Sequence, residues 1–215
     1  ARYKEIKQYA RMPYRKIDPT RFAGAAPDLS PKTNPRNEHL LETLVEKEDQ
    51  VFDDLVAEDS KRHLAKCVRD QKPFFLYVGF EKSHEPWSTH QKYLDLFSPA
   101  SMELPASWNE IVTRGRYPFV MNWLAIGNPQ AQKARNTMAA YYACVREMDT
   151  QVGKVVQQCK DLGIYDNTIF IYTSDHGDSL YHHSLYEKHC MFEMAAKVPL
   201  IIRYPKALPQ GKRSG

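Results

Sequence analysis

No run of about 18 apolar residues occurs anywhere in these 215 residues, which excludes a transmembrane helix. The four cysteines, Cys67, Cys144, Cys159 and Cys190, form no CxxC pair and no other metal-like spacing, which excludes a zinc knuckle and a disulfide framework. They read as reduced, buried thiols and lean toward a reducing compartment. Basic residues exceed acidic ones by only 30 to 26, for a net charge of +4. They are scattered, as in RYK, YRK and SKRHLAK, with no long basic run and no RNA-binding motif, so a nucleic-acid partner is excluded as well. The opening ARYKEIKQYARMPYRK has neither an initiator methionine nor an apolar signal region, and it reads as a chain entered midway. A cytoplasmic location is slightly favoured, with a periplasmic or secreted one left open by whatever precedes Ala1.

What is present is ordinary globular composition, 42% apolar and 26% charged, on a length that can bury one sizeable core. Residues 1–53, rich in Pro, Arg and Lys at their start, read as an irregular segment that wraps the surface or is partly disordered. Residues 54–70 have a helical stripe of Val56, Ser60, Leu64 and Cys67–Val68. Phe74–Phe80 follows Pro73 as a buried strand and runs directly into EKSHEPW. Residues 88–130 form a long Pro- and aromatic-rich excursion of the kind that covers a site. A second helix is marked by Met138, Tyr141, Val145, Met148, Val152, Val155, Cys159 and Leu162, with Gly163 placed to end it. The strands TIFIYTSD and VPLIIRYP complete the pattern. Helix, apolar strand, polar loop and strand in that rhythm predict an α/β fold with a mostly parallel central sheet flanked by helices. Ligands in such sheets bind beyond the carboxyl ends of strands, where both EKSHEPW and SDHGD lie.

The stretch TSDHGDSLYHHSLYEKH spends its residues on titratable groups immediately after an apolar strand. Asp175 and His176 leave that strand together, with Gly177 allowing a sharp turn, and an adjacent carboxylate and imidazole can share a divalent cation. The competing reading is a simple turn capped by Asp175. Lys188 suits an anion too charged for a metal alone, and Lys82 and His84 repeat the cationic theme at the other strand end. His84 could hold that anion or protonate a leaving oxygen. Taken singly, His90, His182 and His189 read as solvated surface histidines.

These residues resemble the C-terminal part of the catalytic domain of the sulfatase family, in the alkaline-phosphatase-like superfamily. The family commonly reads S-D-H-G-[DE]-x-L-G-x-H-x-L-x-x-K, then a Tyr/Phe-Glu pair and V-P-L-I-I-R-x-P. Ser174, Asp175, His176, Gly177, Asp178, Leu180, His183, Leu185, Lys188, Phe192–Glu193 and Val198–Pro199 match it. KPFFLYVGFEKSHEPW resembles the family's P-F-F-L-x-[VL]-x-F-x-x-P-H-x-P-[FW], and the likeness runs from about residue 54 to 205. It implies that 54–215 is the C-terminal portion of such a domain, incomplete at its N-terminus, with Asp175 and His176 as metal ligands. Lys188 and His84 become the contacts to the transferred group, with Lys82 and His183 as further substrate-binding residues. The implied metal is calcium, or manganese or zinc in some relatives, and the implied nucleophile is a formylglycine made in a C/S-x-P-x-R motif. None of the four cysteines precedes x-P-x-R, so that nucleophile is expected upstream and the 215 residues alone are expected to be inactive. Asp53–Asp54 reads as a helix-terminus pair rather than as the family's metal-binding aspartates. Tyr181 stands where the family has Gly, and Ser83 where it has Pro.

The implied activity is hydrolysis of a small-molecule sulfate ester. The alternatives are a phosphodiesterase or phosphonate monoester hydrolase on the same scaffold, or a truncated or diverged protein that binds an anion without turnover. A homo-oligomer stays open.

Overall fold

The computed structural model describes residues 44–45, 52–85, 87–110, 130–185, 187–188 and 190–213. Of the 1–53 segment, only 44–45 and 52–53 fall within it, and 111–129 of the long excursion fall outside. Strand β1 (Leu44–Val45) is followed by helix α1 (Phe52–Arg69), which begins two residues before the expected start. Its acidic first turn, Asp53 and Asp54, and basic last turn, Lys66 and Arg69, both suit the helix dipole. Pairs one turn apart, Glu58–Lys61 at 2.9 Å and Asp59–Arg62 at 3.1 Å, add tenths of a kcal/mol each. The buried face is Asp53, Ala57, Ser60 and Leu64. The expected stripe holds at Ser60 and Leu64, while Val56, Cys67 and Val68 are only partly covered.

Residues 74–80 show the period-two burial of a strand. Phe74, Leu76, Val78 and Phe80 are partly buried, while Phe75 is 93% and Tyr77 84% exposed. Among the described residues no strand pairs with them, so the expected buried strand is absent as a ladder element. Next come β2 (Ser88–Thr89), a short helix α2 (Gln91–Leu94) and a 3-10 turn at Pro99–Ser101. Strand β2 pairs in parallel with β1, Leu44 opposite Ser88 and Val45 opposite Thr89.

Helix α3 (Ala131–Asp161) is the longest element and packs against α1. Its end is a Schellman cap: Gly163, at φ +69°, donates to the Lys160 carbonyl, and Ile164 donates to that of Cys159. The buried face is not the predicted stripe. Met138 and Cys159 are buried, but Tyr141, Val145, Met148, Val152, Val155 and Leu162 are half-buried. The covered line is Thr137, Ala140, Cys144, Glu147 and Gln151, rotated by about one residue. The small side chains of Ala140 and Cys144 on that line take the packing of Trp87.

Strand β3 (Phe170–Thr173) precedes helix α4 (Glu193–Ala196) and strand β4 (Leu200–Arg203). The two strands pair antiparallel, Phe170 opposite Arg203 and Thr173 opposite Leu200. The mostly parallel sheet is therefore not seen among the described residues, whose single parallel pair is β1–β2. The reason is local: the chain between β3 and β4 turns back without the crossover that a parallel neighbour needs. No described helix is long and apolar enough to cross a membrane.

The start of α1 also positions the segment after residue 80. The Asp53 carboxylate accepts the Glu81 N–H at 2.8 Å and the Lys82 N–H at 3.0 Å. Burial pushes its pKa up to about 6, against the pull of those N–H groups and of Lys82. A raised carboxyl contributes stability that is full below about pH 3.8 and is lost as pH rises through about 6. In the full-length protein, Asp53→Asn should flatten the unfolding free energy between those two pH values. Asp53→Ala, which leaves two N–H groups without their acceptor, should cost about 2 kcal/mol or more at neutral pH, read by denaturant unfolding.

Candidate functional site

The site is assembled from two loops. The first leaves β3 at Ser174. The Ser174 hydroxyl donates to the His176 carbonyl at 2.8 Å, and the His176 N–H donates to Asp175 Oδ1 at 2.9 Å. Gly177 donates its N–H to the Ala195 carbonyl at 2.8 Å, and a Cβ at Gly177 would overlap the Met194 carbonyl. Glycine is needed here for close approach of α4 rather than for a left-handed turn. His176 Nδ1 lies 2.8 Å from the Gly177 carbonyl, and since a carbonyl only accepts, Nδ1 carries the proton. Nε2 is left with its lone pair, 3.6 Å from Asp175 Oδ2. Burial acts to raise the Asp175 pKa, but His176 and the nearby N–H groups outweigh it and leave the carboxyl below its ordinary range.

The same loop then folds through an unusual backbone. Leu180, Tyr181, His183, Ser184 and Glu187 all have positive φ, from 36° to 70°. Non-glycine residues in this region cost of order 1 kcal/mol or more each, and such strain clusters at functional sites. The contacts that hold it are specific. Tyr181, at φ 70° in place of the family's glycine, is 2% exposed against Ala134 and Met138, with its hydroxyl 3.2 Å from that of Thr137. The Ser184 hydroxyl donates to the Trp108 carbonyl at 3.0 Å, and the Ser179 N–H donates to the Glu187 carbonyl at 2.7 Å.

This bracing delivers Lys188 to the second loop. Lys188 Nζ donates to His84 Nε2 at 2.9 Å and lies 3.4 Å from Glu85 Oε1. His84 Nδ1 donates to the Glu85 carbonyl at 2.7 Å, which leaves Nε2 as the acceptor. Asp178 lies electrostatically between the halves. Burial pushes its pKa up, the Leu180 N–H opposes that, Glu85 adds to it, and Lys188 and His176 oppose it. The two loops, 104 residues apart at the Lys188–His84 contact, therefore converge as their sequences imply.

The family model described as Sulfatase matches residues 8–215. The chain belongs to the sulfatase family. It is 32% identical over 145 residues to an arylsulfatase of Clostridium perfringens, covering 66% of this chain and 30% of that protein. It is 31% identical over 162 residues to the iduronate 2-sulfatase of Mus musculus, covering 69% and 29%. Among solved structures, the phosphonate monoester hydrolase of Agrobacterium radiobacter superposes with a TM-score of 0.64 at 24% identity, covering 76% of this chain and 35% of that one. The fold is thus alkaline-phosphatase-like, and the chain spans about 30% of the length of these curated relatives.

Membership implies a divalent-metal site, and Asp175 with His176 fits two corners of one. Two ligand atoms, each about 2.0–2.6 Å from an ion, lie about 3–4 Å apart. The 3.6 Å between Nε2 and Oδ2 agrees, and the Nδ1 proton given to a backbone carbonyl is the outer support common to metal-binding imidazoles. Asp53 and Asp54 lie in the first turn of α1, where Asp54 pairs with Lys154 at 2.6 Å, in keeping with a helix-terminus role.

Lys82 and His183 are engaged elsewhere in this sulfatase-family chain. Lys82 Nζ donates to the Ser88 carbonyl and lies 3.9 Å from Glu147 Oε2. His183 Nδ1 donates to Glu110 Oε2 at 2.7 Å, and its ring stacks on Phe192 at 4.6 Å. His90 is 5% exposed, so the surface reading fails for it: its ring lies 2.7 Å from buried Glu147. His189 lies outside the described residues.

Glu85 and Glu187 were not anticipated. Burial pushes the Glu187 pKa up to about 7, Glu85 adds to this, and Lys188 opposes it. The signal available was the acid in HEPW and in YEK, placed among groups otherwise chosen for an anion.

Tyr181 separates backbone strain from burial. In the full-length protein, Tyr181→Phe should cost about 1 kcal/mol by losing the Thr137 contact. Tyr181→Gly should cost about 2–4 kcal/mol, since the loss of a buried ring exceeds the gain of about 1 kcal/mol from a relaxed φ. Thermal or denaturant unfolding reads both.

Proposed function

We propose that the protein carrying this chain is a sulfuric ester hydrolase acting on a small-molecule sulfate ester. The observation that carries the reading is the 2.9 Å contact between Lys188 and His84, made across two family-matched loops. Its scaffold is read as a mostly parallel sheet of which β1–β2 is the described parallel pair. Residues 54–215 are read as the C-terminal portion of one catalytic domain.

The site residues follow from what each atom is free to do. Asp175 and His176 Nε2 hold the divalent cation, with calcium preferred for its hard oxygen donors and manganese or zinc as the softer alternatives. When bound, that cation supplies Lewis-acid polarisation of a sulfuryl oxygen and charge for the nucleophile. Lys188 has three ammonium hydrogens, one on His84 and one on Glu85 Oε1, so the third can meet one of the oxygens of the transferred group. Its charge grows in value as negative charge gathers on those oxygens in the transition state. His84 keeps its Nδ1 proton on the Glu85 carbonyl, so a proton taken up at Nε2 is the one it can deliver to the leaving oxygen. Lys82 and His183 are assigned to positioning the substrate-binding loops, since Ser88, Glu147 and Glu110 engage their side chains. The nucleophile, a formylglycine, is assigned to sequence outside these 215 residues.

The same groups would serve a phosphoryl centre. The sulfate reading is preferred because the matching family and the named curated relatives are sulfatases, whereas the phosphonate hydrolase likeness rests on fold. The test uses the full-length protein with an aryl sulfate and an aryl phosphate as paired substrates. Chelation should abolish sulfate hydrolysis and calcium should restore it. Asp175→Ala should lose activity together with bound metal. Lys188→Ala should keep the metal and lose about 3 kcal/mol of transition-state stabilisation, seen as a fall of about 100-fold or more in kcat/KM. Unchanged activity in Lys188→Ala, or faster phosphate than sulfate turnover, overturns the assignment.

A further inference from the structure

A second cluster, sharing no residue with the Asp175–His176 pair, lies where α1, β2 and α3 meet. Asp54 comes from the first turn of α1, His90 directly follows β2, and Glu147 is in the middle of α3. One donor atom of each lies within 4.8 Å of the other two. Glu147 is 0% and His90 5% exposed, so both are out of contact with bulk solvent.

The hydrogen bonding of this cluster is incomplete. Glu147 Oε2 accepts the Thr89 hydroxyl at 2.6 Å, and Lys82 Nζ stands 3.9 Å from it. Glu147 Oε1 has no hydrogen bond, nor has either nitrogen of His90, although Oε1 and Nδ1 are only 2.7 Å apart. The two atoms are close without a ring N–H pointing from one to the other. The in-plane direction of Nδ1 therefore misses Oε1, and neither atom satisfies the other. One turn along α3, Gln151 Oε1 is also buried and without a partner, on the face that carries Glu147. Orphaned buried acceptors of this kind cost about 1–3 kcal/mol each, and a metal ion satisfies several at once.

We propose that Asp54, His90 and Glu147 bind a second divalent cation that ties α1, the β2 segment and α3 together. One imidazole and two carboxylates favour a first-row ion of the zinc or manganese class over calcium. Lys154, at 2.6 Å from Asp54 Oδ1, and Lys82, at 3.9 Å from Glu147 Oε2, offset part of the negative charge of the two carboxylates. Because the ligands come from three elements, binding stabilises the fold rather than taking part in the reaction.

The test is a zinc titration of the full-length protein after dialysis against chelator, in an Asp175→Ala background so that the reactive-site ion does not contribute. One equivalent of zinc should bind and raise the unfolding midpoint. His90→Gln, and separately the isosteric Glu147→Gln, should each weaken zinc binding by about 100-fold or more in that background. The His90 ring nitrogen resonances should shift on zinc addition. Absence of zinc binding in the Asp175→Ala protein overturns the proposal. So does unchanged affinity in Glu147→Gln, or His90 ring resonances that do not move on zinc addition. If His90→Gln fails to fold, Glu147→Gln and the His90 resonances decide.

Discussion

Two hydrogen bonds to one buried carboxylate set the position of everything on the second loop. Asp53 accepts the backbone N–H groups of Glu81 and Lys82, and His84 and Glu85 follow within three residues. Because Asp53 belongs to the first turn of α1, and α1 packs on α3, His84 is referenced to the longest helix of the chain. The first loop is referenced to that same helix through Tyr181, whose ring rests on Ala134 and Met138 and whose hydroxyl meets Thr137. Lys188 and His84 can meet at hydrogen-bond distance because both loops are measured from α3. A free-standing pair of loops would lose far more entropy in meeting across such a span of chain.

The electrostatics of the site are mixed rather than simply cationic. Lys188, His84 and His176 suit an anion, yet Glu85, Asp178, Glu187 and Asp175 stand among them. Raised carboxyl pKa values at Asp178 and Glu187 are the physical signature of acids crowded in a partly desolvated place. Under the proposed function, an anionic ester entering such a site needs positive charge beyond one ammonium, and a divalent ion on Asp175 and His176 would provide it. The positive-φ residues from Leu180 to Glu187 turn the chain tightly enough for the Glu187 carbonyl to accept the Ser179 N–H.

Local sequence was a good guide wherever the decisive contacts are local. The long helix and its stop at Gly163, the strand before Asp175, and the Asp175–His176 pair were legible from period, cap chemistry and motif. Asp53 and Asp54 were read as a helix-terminus pair, and both lie in the first turn of α1. The face of α3 was not legible. Apolar residues recur along one stripe, but the covered line is Thr137, Ala140, Cys144, Glu147 and Gln151. The choice of face was decided by residues far away in the chain: Trp87 covers Ala140 and Cys144, and Thr89 and His90 cover Glu147. For the same reason the burial of His90 could not be read from its position among polar neighbours.

By itself the sequence determined the order of the family-matched residues along the chain and where its long helix stops, because motif, cap and period are encoded by neighbours a few positions apart. Tertiary structure alone decided the rest. It placed Lys188 on His84 and turned Lys82 and His183 onto Ser88, Glu147 and Glu110. It made β3 and β4 antiparallel, and it buried His90 against Glu147. Each of these depends on contacts between residues tens of positions apart, and their free energies arise only when helices and loops compete for the same volume.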